Sequence, residues 1–425
     1  MSLVIIRLDS AKDFNVLRKS AFFDFLNRRE NQGFDQFITA SVADEDYISW
    51  NGFALPFDYG DDEFEYTELR NRCAIFDVTP LQKIQIRGSG SARFLDSTLT
   101  RPPGKLPSMR ATYAVMCNDD GTIKDDAILY KFDDDDYLIM PSDIDHTPYF
   151  ESLRDEFDLE DVSFTNVSEQ IAGMAVQGPA SASVLLHMGF ERVEELCPFE
   201  VRDYVLDGGM VRVSRVGFTA DLGYECWMAT DLVAAFRQRI VATRSAMGLA
   251  MPGYGLRTLE TCRLEGGFVV AGWDFATELD PQPGFERTPF EVGLGWIVNL
   301  DAANFVGRDA LIAQRLSGPR FFSRRFQLMR HMEIEDGESI YSDINGEIVE
   351  IGFVACSSWS WGLKQVIGNA SIRAEFRDAT RGWLMLDGKQ VPADLGHGPF
   401  VNLERRNRVP APLLGQAAQS KLSQT

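Results

Sequence analysis

The chain has 425 residues, 45% of them hydrophobic, enough to bury a sizeable core across two or three domains. Its formal net charge of -21 disfavours a nucleic-acid backbone or an anionic membrane as partner, because both would repel it. A small anionic ligand stays open, since a pocket's local field can oppose the global one. The start, Met1 to Arg7, carries no signal-peptide cleavage pattern, and no apolar run approaches the roughly 20 residues of a membrane helix. The expectation is a cytoplasmic protein.

In chain order, the aromatics Phe22, Phe23, Trp50, Phe53 and Phe57 come first and suit either a core or a substrate wall. Gln82 to Arg87 alternates as a strand, Gly88-Ser89-Gly90 turns, and Ser91 to Leu95 opens a helix. Such a turn could cradle phosphate, but it lacks a third glycine or a Lys-Ser/Thr pair, which favours a purely structural turn. Thr112 to Met116 reads as a strand. The run Asn118 to Tyr130 then reads as a hairpin whose second strand opens on Asp125 and Asp126. A period of two sends these carboxylates to opposite faces. One therefore points inward and needs a partner, unless both merely cap the turn. The acidic tract Asp133 to Asp136 suits a solvated turn before the strand Tyr137 to Met140.

Helical spacing predicts helices over Pro148 to Asp155, Ala180 to Met188 and Asp231 to Met247, with strands at Met210 to Ser214 and Cys226 to Ala229. The absence of a regular βα rhythm favours an α+β architecture. Beyond Ser317-Gly318-Pro319 the chain turns strand-rich and glycine-punctuated, as a small β-barrel or jelly-roll domain would. The six cysteines are scattered without paired spacing and read as reduced core thiols. The four histidines, His146, His187, His331 and His397, show no ligand spacing, so no metal is expected. No GxSxG elbow or flanked cysteine supports covalent catalysis.

Three segments together are more specific: Asp125-Asp126, Gly217-Phe218-Thr219-Ala220-Asp221-Leu222-Gly223-Tyr224-Glu225, and Arg257 to Gly267 with its Cys262-Arg263-Leu264-Glu265. With Cys73 to Thr79, Met174 to Pro179, Pro289 to Trp296 and Phe305 to Leu311, the chain resembles the folate-dependent aminomethyltransferase family, typified by the T-protein of the glycine cleavage system. The long amino-terminal region looks more like the family's tetrahydrofolate-dependent demethylases. The resemblance implies three domains around a central folate cavity. They are residues 1–83 with 169–275, residues 84–168 with 276–316, and a C-terminal barrel over 317–425.

The resemblance also implies roles. Asp126 matches the carboxylate near N5 of tetrahydrofolate, where it would stabilise positive charge developing on the attacking amine. Asp125 would be its turn or surface partner. Glu225 matches the glutamate that pairs with the pterin's donor edge, two acceptors facing two donors. Tyr113 and Tyr130 match folate-contacting tyrosines. Arg263 matches an arginine of the central site, engaging folate, a substrate carboxylate, or a structural partner such as Glu265 or Glu260. The usual Gly-Tyr-Thr-Gly-Glu here has Phe218, which keeps the ring without its hydroxyl. The usual Gly-Ala-Arg-Asp is replaced by Arg257-Thr258-Leu259-Glu260.

The leading expectation is thus an enzyme moving a one-carbon unit from a small methylated donor to tetrahydrofolate. The aromatics Phe22, Phe23, Trp50, Phe53, Trp359 and Trp361 favour a sulfonium or quaternary ammonium donor over an aryl ether. The alternatives are an aminomethyltransferase served by a lipoyl carrier protein, and a noncatalytic folate-binding assembly factor. The last lacks its Lys-Gly-Cys-Tyr-x-Gly-Gln-Glu signature here.

Overall fold

A computed structural model describes residues 6–7, 16–27, 47–302 and 304–410. The architecture is α+β, and the chain forms two compact units. One is built from residues 82–166 and 263–401, the other from the described residues of 5–81, 167–262 and 402–425. Among the described residues no helix is long and apolar enough to cross a membrane.

In the first unit a five-stranded antiparallel sheet runs in the order Arg110–Cys117, Ile123–Asp133, Asp136–Pro141, Ile84–Arg87, Ser163–Asn166. One face packs on the helices Ser91–Thr98 and Thr147–Glu156 through Ala127, Leu129, Phe94 and Phe150. The other carries Val115 and Cys117 against Phe275, Val292 and Leu294. The expected glycine turn is structural: a Cβ on Gly88 would stand 2.2 Å from the Asp161 carbonyl oxygen. The acidic tract lies in the tight turn between Ile123–Asp133 and Asp136–Pro141, where Asp134 pairs with Lys131 and Asp136 with Arg87. The expected C-terminal barrel is also present. Six strands from Phe321–Leu328 to Lys389–Gly396 close on each other around Phe326, Ile340, Ile351 and Leu384.

The second unit is organised on another antiparallel sheet, ordered Val201–Leu206, Gly209–Ser214, Gly223–Ala229, Ile171–Gln177, Ala74–Asp77. Met174, Val176, Tyr224 and Cys226 face its core with the helices Ser181–His187 and Val233–Met247. On the opposite face the Trp227 ring lies across Gly173, where a Cβ would come within 2.2 Å of it. Of the amino-terminal aromatics, Phe22, Phe23 and Trp50 are buried. Phe22 meets Phe236 edge-on, Phe23 lies beside Tyr47, and Trp50 packs on Phe76, which stacks on Tyr254. These rings are core, so they do not wall a donor. Phe53 and Phe57 are covered by Arg18 and Arg257, at 4.0 and 4.7 Å from the ring centres.

A buried carboxyl fixes the segment that follows these aromatics. Glu65, on the helix Asp62–Asn71, accepts from the Tyr59 amide at 2.6 Å, the Gly255 amide at 2.8 Å and the Thr258 hydroxyl at 3.0 Å. Burial pushes its pKa up to about 8 from an ordinary 4.5, against the downward pull of those donors. The folded chain therefore holds this proton more tightly than the unfolded chain. The resulting stabilisation is complete below pH 4.5 and is lost as the pH rises through 8. Urea unfolding between pH 5 and 9 should show stability falling by on the order of a few kcal/mol across the range. Glu65→Gln should flatten that slope, whatever it does to the absolute stability.

Candidate functional site

The hairpin turn closes early. The Asn118 amide donates to the Thr122 carbonyl, and Asp120 accepts from the Thr122 amide and hydroxyl. Capping is thus done by Asp120, and Asp125 and Asp126 already lie within the strand Ile123–Asp133. An irregularity in the ladder between Met116 and Cys117 precedes them, and the ladder to Asp136–Pro141 begins only at Ala127. The two carboxylates do point to opposite faces, but both faces are covered: Asp125 is 0% exposed and Asp126 5%. The expectation that Asp125 stands at the turn or surface is therefore overturned. It has a buried partner, His146 Nε2, at 2.8 Å, and its other oxygen accepts the Asp126 amide at 2.8 Å.

Asp126 shares its face with Tyr113, whose hydroxyl donates to Asp126 Oδ2 at 2.8 Å. Burial, then the charges of Asp126, Asp125 and Asp274, hold the Tyr113 phenol well above its ordinary pKa. It is a neutral donor throughout the physiological range. Trp296, 64% exposed, stacks on the Tyr113 ring at 6.3 Å. Two strand positions beyond Ile128, Tyr130 is buried and stacks on Phe132.

Arg263 sits in the same unit, fully buried. Its Nη1 donates to Asp274 Oδ2 at 2.6 Å and to the Phe268 carbonyl at 3.0 Å, and its Nη2 approaches Cys356 Sγ at 3.1 Å. Asp274 also accepts from the Val270 amide and the Asn369 side chain. The structural carboxylate of Arg263 is therefore Asp274, eleven residues along the chain, and Glu265 receives the Ser360 hydroxyl at 2.6 Å.

Phe218 and Glu225 belong to the second unit. Gln177 fills the space over Gly217 and Gly223, where Cβ atoms would lie 2.2 and 2.0 Å from its amide oxygen, and accepts the Thr219 hydroxyl at 2.8 Å. Ala220 adopts φ +55°, the left-handed conformation that a glycine takes more easily. Asp221 then accepts from Arg70 at 3.1 Å and from Arg405 at 2.6 and 2.8 Å. The loop carrying Phe218 is thus anchored at both ends, and both Phe218 and Glu225 are half-buried. Glu225 alternates with the core-facing Tyr224 and Cys226, so its carboxylate lies on the face opposite that core.

Sequence reasoning missed three participants. His146 was weighed only as a metal ligand, Trp296 only as part of a motif, and Asp274 stands in a loop whose spacing carries no signal.

A family model described as GCVT N-terminal domain matches residues 44–302. An aminomethyltransferase of Halothermothrix orenii is 30% identical over 361 residues, covering 83% of this chain and 95% of that relative. One from Thermoanaerobacter pseudethanolicus is 28% identical over 330 residues, covering 77% and 86%. The crystal structure of glycine cleavage system aminomethyltransferase T from Bartonella henselae superposes with a TM-score of 0.74 at 19% identity, covering 86% of this chain and 95% of that one.

The anchoring of the Phe218 loop is testable by itself. Asp221→Ala removes the carboxylate that Arg70, 8% exposed, shares with Arg405, and should destabilise the fold by about 3 kcal/mol in equilibrium unfolding.

Proposed function

The chain belongs to the GCVT N-terminal domain family of tetrahydrofolate-dependent one-carbon transferases, and from that premise we propose that it moves a methyl group from a small methylated onium donor to N5 of tetrahydrofolate. Tetrahydrofolate supplies the nucleophilic amine nitrogen. The carrying observation is the buried Asp126 carboxylate, held by the Tyr113 hydroxyl at 2.8 Å beneath an exposed Trp296 ring.

Transfer to N5 creates positive charge on that nitrogen. A fixed carboxylate stabilises that charge as it develops, and lowers the barrier to the extent that it favours the transition state over the bound donor. A protonated Tyr113 keeps the carboxylate in one orientation and adds no charge of its own. The Tyr113 and Trp296 faces favour a methylated cation over a neutral ether of the same shape, by roughly 0.5 to 2 kcal/mol per ring. Glu225 and Phe218, both half-buried in the second unit, are carried over from the family's pterin contacts; Tyr130 and Arg263 are buried within the first unit, Arg263 against Asp274.

The reading also rests on residues that depart from the aminomethyltransferase pattern. Arg257 pairs with Asp58 at 3.2 Å, and Thr258 bonds Glu65. The replacement of Gly-Ala-Arg-Asp is thus built into this chain's own 57–65 segment. The second reading, aminomethyl transfer from a lipoyl carrier protein, is favoured by the relatives being aminomethyltransferases.

A panel assay separates the two. Protein and tetrahydrofolate are incubated with onium compounds, aryl methyl ethers and an aminomethyl-lipoyl carrier, and the folate product is identified by mass. Methyl-tetrahydrofolate from an onium compound is expected; methylene-tetrahydrofolate from the carrier alone would establish the second reading. With the active donor, Asp126→Asn should lower kcat by about 100-fold with little change in folate affinity. Glu225→Ala should instead weaken folate binding by roughly 2 to 4 kcal/mol in titration calorimetry.

A further inference from the structure

Asp126 stands where its strand is paired on one side only: it faces Val115, and pairing to Asp136–Pro141 begins one residue later. Its amide is held by a side chain, donating to Asp125 Oδ1 at 2.8 Å. The other Asp125 oxygen meets His146 Nε2 at 2.8 Å, with both side chains at most 1% exposed. His146 immediately precedes the helix Thr147–Glu156, and its ring packs against Tyr149 and Phe150.

We propose that His146 and Asp125 are a positioning pair for Asp126: the imidazole orients the Asp125 carboxylate, which fixes the backbone from which Asp126 projects. The proposal rests on Asp126 acting in the transfer described above.

Hydrogen-bond chemistry sets the form of the pair. His146 Nδ1 is buried with no hydrogen-bond partner among the described residues. A proton there would be a buried donor without an acceptor among the described residues, which is unfavourable. A helix N-terminus also disfavours a cation. A carboxylate oxygen only accepts, so Nε2 carries the proton that is donated to Asp125 Oδ2. Burial raises the pKa of Asp125, the His146 bond opposes that rise, and the nearby Asp126 adds to it. The His146 bond thus holds the Asp125 carboxyl in the orientation that presents Oδ1 to the Asp126 amide.

Nε2 of glutamine reaches where Nε2 of histidine reaches and always carries a proton, so His146→Gln preserves the donor. His146→Phe keeps the ring packing and removes it. In the full chain, with tetrahydrofolate and the active donor, His146→Phe should lower kcat about 10- to 30-fold with folate affinity within about twofold of the original. The Asp126 amide should exchange with solvent about tenfold faster. His146→Gln should stay within about threefold of the original chain in kcat and exchange.

The pairing is overturned if His146→Phe keeps the original kcat and exchange rate, if His146→Gln is no better than His146→Phe, or if folate affinity falls in step with kcat. Should His146→Phe not fold, Asp125→Asn provides the same comparison. Its amide group set against the Nε2 proton should give the same losses, and original values would overturn the pairing. If the original chain transfers no one-carbon unit, the functional reading fails, and amide exchange alone decides the pairing.

Discussion

Two adjacent carboxylates buried on one strand constrain everything around them. Because a strand alternates faces, Asp125 and Asp126 cannot share a partner, and because neither face is solvent, each needs its own. The fold answers with a histidine just before one helix and a tyrosine from the neighbouring strand. The two solutions differ in kind. Asp125 is bound on both oxygens by groups that serve the backbone, whereas Asp126 receives a phenol under a ring open to solvent. That asymmetry is why Asp126, and not Asp125, is the carboxylate proposed for the chemistry.

The same physics recurs at two of the arginines that this acidic chain buries. Arg263 and Arg70 are each oriented by a carboxylate that also binds a backbone amide, Asp274 to Val270 and Asp221 to Leu222. A carboxylate held in this way is fixed before the cation arrives, so the arginine is positioned more than it is stabilised. Arg325 adds a second cation beside Asp274 by donating to the Asn369 side chain. Burial lowers the Arg325 pKa, and the charge of Asp274 opposes that shift.

Much of this was legible in the sequence because it follows local rules. The hairpin with its period of two, the strand-rich carboxyl-terminal barrel, the helix at Thr147–Glu156 and the opposed faces of Asp125 and Asp126 all come from spacing and turn chemistry. What stayed hidden depends on long-range meetings. Asp125 looked like a turn residue because its partner is 21 positions away. Phe22, Phe23 and Trp50 looked available for a substrate because aromatic content does not reveal which rings meet Phe236, Tyr47 and Phe76. Trp359 and Trp361 likewise turn to each other and to His331 and Lys364.

Removing those rings from the argument moves the donor question to a smaller place. A cation's attraction to an aromatic face grows as water is excluded, and it adds to attraction toward a nearby carboxylate. Tyr113 combines both features, since its ring stacks on Trp296 while its hydroxyl binds Asp126. A methylated cation at that ring would be drawn to the carboxylate that later stabilises the positive charge on the accepting nitrogen. Under the proposed transfer, positive charge would pass from donor to acceptor within the reach of that one anion. An ether donor has no such charge to hand over, and its leaving oxygen would need a proton. The Tyr113 phenol, kept well above its ordinary pKa by burial and by Asp126, is a poor source of one. The local electrostatics therefore suit a donor that arrives charged and leaves neutral.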